Sequence, residues 1–217
     1  MHDSEFKKSL NAASLEFKEE PMDNNYRNPL VGVVSRGRLT RLIKEMGQIK
    51  YKKILDIGCE AGYFSIMMQK SGANVFSFDI CMEAMEEFKN KGFRESKIFR
   101  AAAQRMPIAD NVFDYVVCTE VIEHMPRLDL AFSEMNRVLK KSGKLFITFP
   151  NEALRKALYP IAKLAGVNTT VEDEVTLFEY KFSEILRLVS MHFRIIKKYS
   201  WPSYFPLTRF IVAQKVN

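Results

Sequence analysis

Apolar and polar positions change period in a regular way along the middle of the chain. KKILDI (52–57) is a short, nearly continuous apolar run leading into a glycine-containing turn, the pattern of a strand buried on both faces. Gly62–Lys70 reads as a helix stopped by Ser71-Gly72, and NVFSFDI (74–80) as a second strand. Cys81–Asn90 carries Met82, Met85 and Phe88 at helical spacing and stops near Gly92. SKIFRAA (96–102) and FDYVVCT (113–119) are the third and fourth strands. Leu130–Lys140 places Phe132, Met135, Val138 and Leu139 on one helical face. Ser142-Gly143 then turns into a fifth strand, KLFITF (144–149), which Pro150 ends. Strands alternating with helices predict βαβ units and a parallel sheet with helices on both faces.

The flanks follow another rhythm. Residues 1–25 are a polar leader and NYRNPLVG (25–32) a loop, after which Ser35–Gly47 is a helix with Leu39, Leu42, Ile43 and Met46 on one stripe. Residues 151–166 read as helix with a break or kink at Pro160, and 167–180 as an acidic loop. Phe182–Val189 is a further helix, and FRIIKKYS (193–200) and LTRFIVAQK (207–215) are strands separated by the loop WPSYFP (201–206). The expectation is one domain over 1–217: a cap at 1–50, a core at 51–150, an insertion at 151–181, and a terminal helix with strands at 182–217.

Composition narrows the class. A chain of 217 residues, 47% apolar and 27% charged, suits one sizeable core. No apolar run approaches the roughly 20 residues that span a bilayer, and the polar first residues lack a signal-type stretch, so a cytoplasmic protein is expected. Cys59, Cys81 and Cys118 are odd in number and form no CxxC pair, which argues against a disulfide framework or a zinc knuckle. The net charge of +7 is uneven: Tyr26 to Lys53 holds eight Lys/Arg and one acid, Glu45, and no acid follows Arg187. Such a surface attracts anionic lipid, nucleic acid or anionic small molecules, or is simply solvated.

The chemistry-bearing residues fall at strand ends. LDIGCEAG follows the first strand and leads into a helix, where glycines permit a tight turn and close approach of backbone to ligand. Asp79 ends the second strand, where a carboxylate can accept hydrogen bonds from both ribose hydroxyls. A glycine turn alone is shared by several nucleotide-binding families, but the GxGxxG spacing of dinucleotide binding is absent here. The ordered series ILDIGCEAGYFS, FDI, AAAQRMPIADNVFDYVVCTEVIEHM and VLKKSGKLFITFPN closely resembles the class I S-adenosylmethionine-dependent methyltransferases, nearest the small-molecule enzymes of ubiquinone-biosynthesis type. The resemblance covers roughly residues 50–150 well and the flanks loosely. It implies an α/β fold, a Rossmann-like three-layer sandwich with a mostly parallel seven-stranded sheet and an antiparallel last strand. It also implies S-adenosylmethionine as cofactor and S-adenosylhomocysteine as product.

Position by position, the resemblance gives Asp56 the orienting of the loop and the methionine amino group, and lets the backbone at Gly58 approach the methionine moiety. Cys59, Glu60 and Gly62 complete the turn. Asp79 takes the ribose, Ile80 lies beside the adenine, Ala102-Ala103-Gln104 contacts the adenine, and Thr119 and Glu120 open over the methionine part. Two departures stand out. Glu60 replaces the family's middle glycine, so a positive φ there would be strained; either the loop takes another shape or Glu60 faces the ligand. Ala102 replaces the acid often set against the adenine amino group.

TEVIEHMP admits three readings. His124, with Glu123 beside it, is a general base for a hydroxyl acceptor. Alternatively, as in small-RNA 3′-end methyltransferases, Glu120, Glu123 and His124 bind a divalent metal; the later His this requires is missing from Asn151–Lys181, and no metal is expected. Thirdly, His124 is a hydrogen-bonded residue that holds the loop. A helical segment would put Glu120 and His124 on one face.

Acceptor choice in the family lies in the segments matching 1–50 and 151–181. Leu158, Tyr159, Ile161 and Leu164 line a greasy pocket, lie on an anionic membrane surface, or pack on the core. The expected partner is a small apolar or lipid-linked acceptor methylated on oxygen. Competing readings are an RNA or protein methyltransferase using the basic flank, and a binding protein of this fold without catalysis. Nucleic acid is the weaker choice, since the Asn-Pro-Pro-Tyr type motif is missing and Phe149-Pro150-Asn151 follows a different strand.

Overall fold

The structure, a computed structural model, describes residues 31–91, 97–164 and 180–216. The expected leader, the first part of NYRNPLVG, the stop at Gly92 and the acidic loop before Tyr180 lie outside the described residues. Seven strands form one mixed sheet in the order β3-β2-β1-β4-β5-β7-β6. The chain divides into two compact units after Pro107.

The first unit contains helix α1 (Val31–Met46), β1 (Lys53–Ile57), α2 (Tyr63–Lys70), β2 (Asn74–Asp79), α3 (Met82–Asn90) and β3 (Ile98–Arg100). β1 pairs in parallel with β2, and β2 with β3. Ile54, Leu55 and Ile57 are all buried, as a continuous apolar run in a parallel sheet requires. α2 buries Phe64 and Met68, four residues apart. α1 begins four residues before the expected Ser35, because Val31 and Gly32 enter the helix instead of the loop. β3 is shorter than SKIFRAA: it stops at Arg100, and Ala102 leaves the ladder to form an isolated bridge with Arg105.

The second unit contains β4 (Phe113–Thr119), α4 (Leu128–Val138), β5 (Leu139–Pro150), α5 (Glu152–Leu164), α6 (Phe182–His192), β6 (Phe193–Trp201) and β7 (Thr208–Lys215). β4 and β5 are parallel, while β7 is antiparallel to both β5 and β6. α4 is shifted two residues N-terminal to the expected helix, and β5 starts at Leu139. The expected turn at Ser142-Gly143 is an irregularity within that strand. Ser142 has φ +59°, and the β4 register jumps from Phe113↔Leu139 to Tyr115↔Lys144. α5 runs through Pro160 without a break in helix assignment. Trp201-Pro202 opens the loop between β6 and β7.

Candidate active site

In the first unit the polar residues gather at the carboxyl ends of β1 and β2. Gly58 and Gly62 both take left-handed φ, +67° and +77°, so the turn uses the freedom glycine supplies. Gly62 is fixed by space as well, because a Cβ there would lie 2.0 Å from the Phe88 ring. The N–H groups of Gly58 and Cys59 both donate to the Phe78 carbonyl, at 3.0 and 3.1 Å, which ties the turn to β2. Glu60 has φ +48°, so the chain keeps the backbone shape of a glycine turn with a glutamate in it.

Asp79 anchors the other side. Its Oδ2 accepts the Glu60 N–H at 2.8 Å and its Oδ1 accepts the Cys81 N–H at 2.9 Å. The Ile80 backbone N–H also bonds this carboxylate, so three of its roughly four acceptor sites are taken. Burial raises the Asp79 pKa, and backbone N–H bonds from Cys81, Glu60 and Ile80 work against that rise. Ile80 follows, its carbonyl accepting from Arg100 Nε at 3.0 Å. Beyond β3, Ala102 and Ala103 are buried and Gln104 is half-buried, in a turn closed by the Arg105 N–H to the Ala102 carbonyl at 3.1 Å.

Asp56 faces inward and is 1% exposed. Its Oδ2 accepts from Ser65 Oγ, which in turn pairs with Ser77 Oγ at 2.8 Å. This buried polar chain joins β1, α2 and β2. Burial lifts the Asp56 pKa to about 7; the Ser65 bond lowers it and the Asp79 charge raises it further. Burial likewise pushes the Cys59 thiol well up, so it stays a protonated, packed side chain. Ser65 and Ser77 carry no motif. Their one sequence signal is a polar residue at an otherwise inward position of a helix and a strand.

In the second unit Thr119 ends β4, and the Glu120 N–H donates to the Thr148 carbonyl at 2.8 Å. Glu120 has φ +56° and lies outside any helix, and only Ile122–His124 form a single 3-10 turn. The expected shared helical face of Glu120 and His124 is therefore absent. Val121 leaves the helical region with ψ −30° at φ −134°, and three residues cannot build a four-residue repeat. His124 Nε2 stands 3.9 Å from Glu123 Oε1, beyond hydrogen-bond range. His192, the next histidine in the sequence after His124, ends α6.

Glu123 is buried, and burial together with the Glu120 charge holds its pKa well above the carboxylate range. It lines a small niche with Ile122, Phe149, Glu152, Tyr180 and Ile185. Tyr180 hydroxyl donates to the Met125 carbonyl at 2.9 Å and so pins the segment after the 3-10 turn. Glu152 pairs through Oε2 with Arg155 Nη2 at 2.8 Å. Neither Glu152 nor Tyr180 was legible as a site residue, because a turn more than fifty residues away in sequence brings Tyr180 to Met125. Of the apolar residues read as lining a pocket, lying on a membrane or packing on the core, Leu158 is half-buried, and the side chains of Tyr159, Ile161 and Leu164 lie outside the described residues.

Residues 55–147 match a family model described as a methyltransferase domain. The chain is 30% identical to the ubiquinone biosynthesis O-methyltransferase of Pelagibacter ubique over 115 residues, 52% of this chain and 48% of that one. It is 34% identical to the demethylmenaquinone methyltransferase of Staphylococcus aureus strain MRSA252 over 108 residues, 48% of this chain and 45% of that one. The matched stretch thus spans about half the length of these curated relatives. Magnesium protoporphyrin IX methyltransferase of Synechocystis PCC 6803, solved with bound SAH, shares the fold at TM-score 0.67 and 16% identity, over 99% of this chain and 100% of that one. Residues 55–147 thus resemble a methyltransferase domain, and the seven-stranded sheet with its antiparallel β7 between β5 and β6 has the fold of solved methyltransferases.

Proposed function

We propose that the protein transfers a methyl group from S-adenosylmethionine to oxygen of a small, apolar or lipid-linked acceptor. The observation that supports this most directly is the Asp79 carboxylate, held by the Glu60 and Cys81 N–H groups at the end of β2, beside a turn whose two glycines are left-handed. That arrangement fits a ribose. Both oxygens are oriented by the chain, the carboxylate retains an acceptor site for a hydroxyl, and Gly58 in its left-handed turn carries no side chain.

In this reading Asp79 binds the ribose, and Ile80 with Ala102, Ala103 and Gln104 borders the adenine. Gly58, Cys59, Glu60 and Gly62 form the turn along the methionine moiety, and the family resemblance assigns Thr119 and Glu120 to the same moiety. Asp56 acts one step back, through Ser65, by holding α2 behind the turn. When bound, S-adenosylmethionine supplies an activated methyl group on a sulfonium. The chain's part is to position the acceptor oxygen and remove its proton. His124 is the base in this proposal. At 3.9 Å, Glu123 is too far to orient its imidazole directly. No described helix is long and apolar enough to cross a membrane.

The test is calorimetry with S-adenosylmethionine and S-adenosylhomocysteine, followed by transfer of labelled methyl to a lipid extract, to RNA and to protein. Binding of the product with label in the lipid extract is the expected result. Absence of binding by either compound overturns the proposal, and label confined to RNA or protein replaces the acceptor class.

A further inference from the structure

The niche beside the 3-10 turn contains two buried carboxylate oxygens without a described partner. Glu123 is 7% exposed, and its Oε2 accepts nothing. Glu152 Oε1 is buried as well and accepts nothing, its Oε2 being taken by Arg155. Both residues line the same cavity of about 20 Å³. A bare buried acceptor costs about 1–3 kcal/mol, more when it is charged, so two facing one cavity call for a donor group inside it.

Size and donor count define that group. Roughly 10–15 Å³ of such volume holds one water, so the cavity admits one small head and no ring. Two carboxylate oxygens need two donors. A hydroxyl offers one, water two and an ammonium three. Charge separates the last two. The charges of Glu120 and Glu152 raise the Glu123 pKa, and that of Glu120 raises the Glu152 pKa, against Arg155 and Lys156. An ammonium, unlike a neutral water, favours the ionised form of the carboxyls it meets. Phe149 and Tyr180 add aromatic surface to a lining that also holds Ile122, Pro150 and Ile185, and an aromatic face attracts a cation.

We propose that this niche binds the ammonium head of the methyl acceptor, as a recognition handle separate from the atom that is methylated. An ammonium nitrogen held by its protons has no lone pair and cannot itself attack the sulfonium, so the methyl group goes elsewhere on the same molecule. The inference rests on the methyltransferase reading for the word acceptor. As a cation site it stands on the niche alone.

The experiment uses the whole chain with isoleucine methyl labels, since Ile122 and Ile185 line the niche. Benzylamine and benzyl alcohol are titrated with and without S-adenosylhomocysteine, and methyl resonances are followed by NMR. The expected result is saturable shifts of Ile122 and Ile185 with the amine, none with the alcohol at equal concentration, and at least ten-fold weaker amine binding in Glu152→Gln. Glu123→Gln, of the same shape without the charge, repeats the test at the buried partner. Equal responses to amine and alcohol, no response to either, or wild-type amine affinity in both variants overturns the niche. Loss of S-adenosylhomocysteine binding with amine discrimination intact overturns the methyltransferase reading while leaving a cation site.

Discussion

The Glu60 N–H donates to Asp79 Oδ2 at 2.8 Å, so a residue in left-handed conformation fixes the carboxylate at the end of β2. The cost of that conformation for a residue with a Cβ is about 1–2 kcal/mol. Glycine would remove it and give back about 0.5–1 kcal/mol through the freer unfolded chain. Glu60→Gly is therefore expected to keep the hydrogen bond and raise thermal stability by a few degrees at most, in a calorimetric melt. A lowered melting temperature would mean that the glutamate side chain itself supports the turn.

Asp79→Asn replaces one acceptor oxygen by an amide group that meets the N–H of either Glu60 or Cys81 as donor against donor. Hydrogen bonds to a charged group contribute about 1.5–3 kcal/mol each, and about 1.4 kcal/mol is ten-fold in affinity. S-adenosylhomocysteine affinity is expected to fall about 10- to 100-fold by isothermal titration. Affinity within two-fold of wild type would remove Asp79 from the site.

Gly62→Ala faces two penalties at once, a left-handed φ and a Cβ 2.0 Å from the Phe88 ring. Overpacking costs about 1–3 kcal/mol and the backbone about 1–2 more. Urea melts should show a loss of roughly 2–5 kcal/mol by those two figures. In the double variant with Phe88→Leu, the part due to the ring should return and the backbone part should remain. Complete rescue would show that the positive φ carries no strain.

Asp56 sets a pH dependence whose sign follows from burial. Its folded pKa, about 7, lies above the unfolded value near 3.8, so the native state binds the extra proton. Its contribution is complete below the unfolded pKa and is lost as pH rises through about 7. Glu123, also raised, acts in the same direction. Stability measured by denaturant at successive pH values between 4 and 7 should therefore fall for the wild type and fall less steeply for Asp56→Asn. Parallel curves for the two proteins would show that Asp56 ionises at an ordinary pH.

His124→Ala is expected to lower turnover by about 10²–10⁴-fold, the usual range for a lost general base, with S-adenosylhomocysteine affinity unchanged. Unchanged turnover would leave His124 as a loop residue.

Much of this was legible in the sequence, for a physical reason. β4 matches FDYVVCT at both ends because an apolar run bounded by polar residues has only one way to be buried. The glycine that Glu60 replaces left the shape of the turn open, and the chain keeps a positive φ there. The misses arise where tertiary contacts override local preference. β3 stops at Arg100 although the apolar pattern continues through Ala102, because the Ala102 carbonyl turns to take the Arg105 N–H. α4 ends early because Leu139 already pairs with Phe113. The partners of Asp56 and the role of Tyr180 depend on contacts across the fold, which no spacing rule encodes.

β7 is the last strand in sequence yet lies inside the sheet, between β5 and β6, and Lys215 near its end donates to the Leu139 carbonyl at 2.8 Å. During synthesis β6 leaves the ribosome with no sheet neighbour available to it. It waits as an unpaired, lysine-studded ribbon until residues 208–215 emerge, and only then can β5 and β6 be joined. The charged lysines of that ribbon, Lys197 and Lys198, disfavour pairing with another nascent chain during that interval.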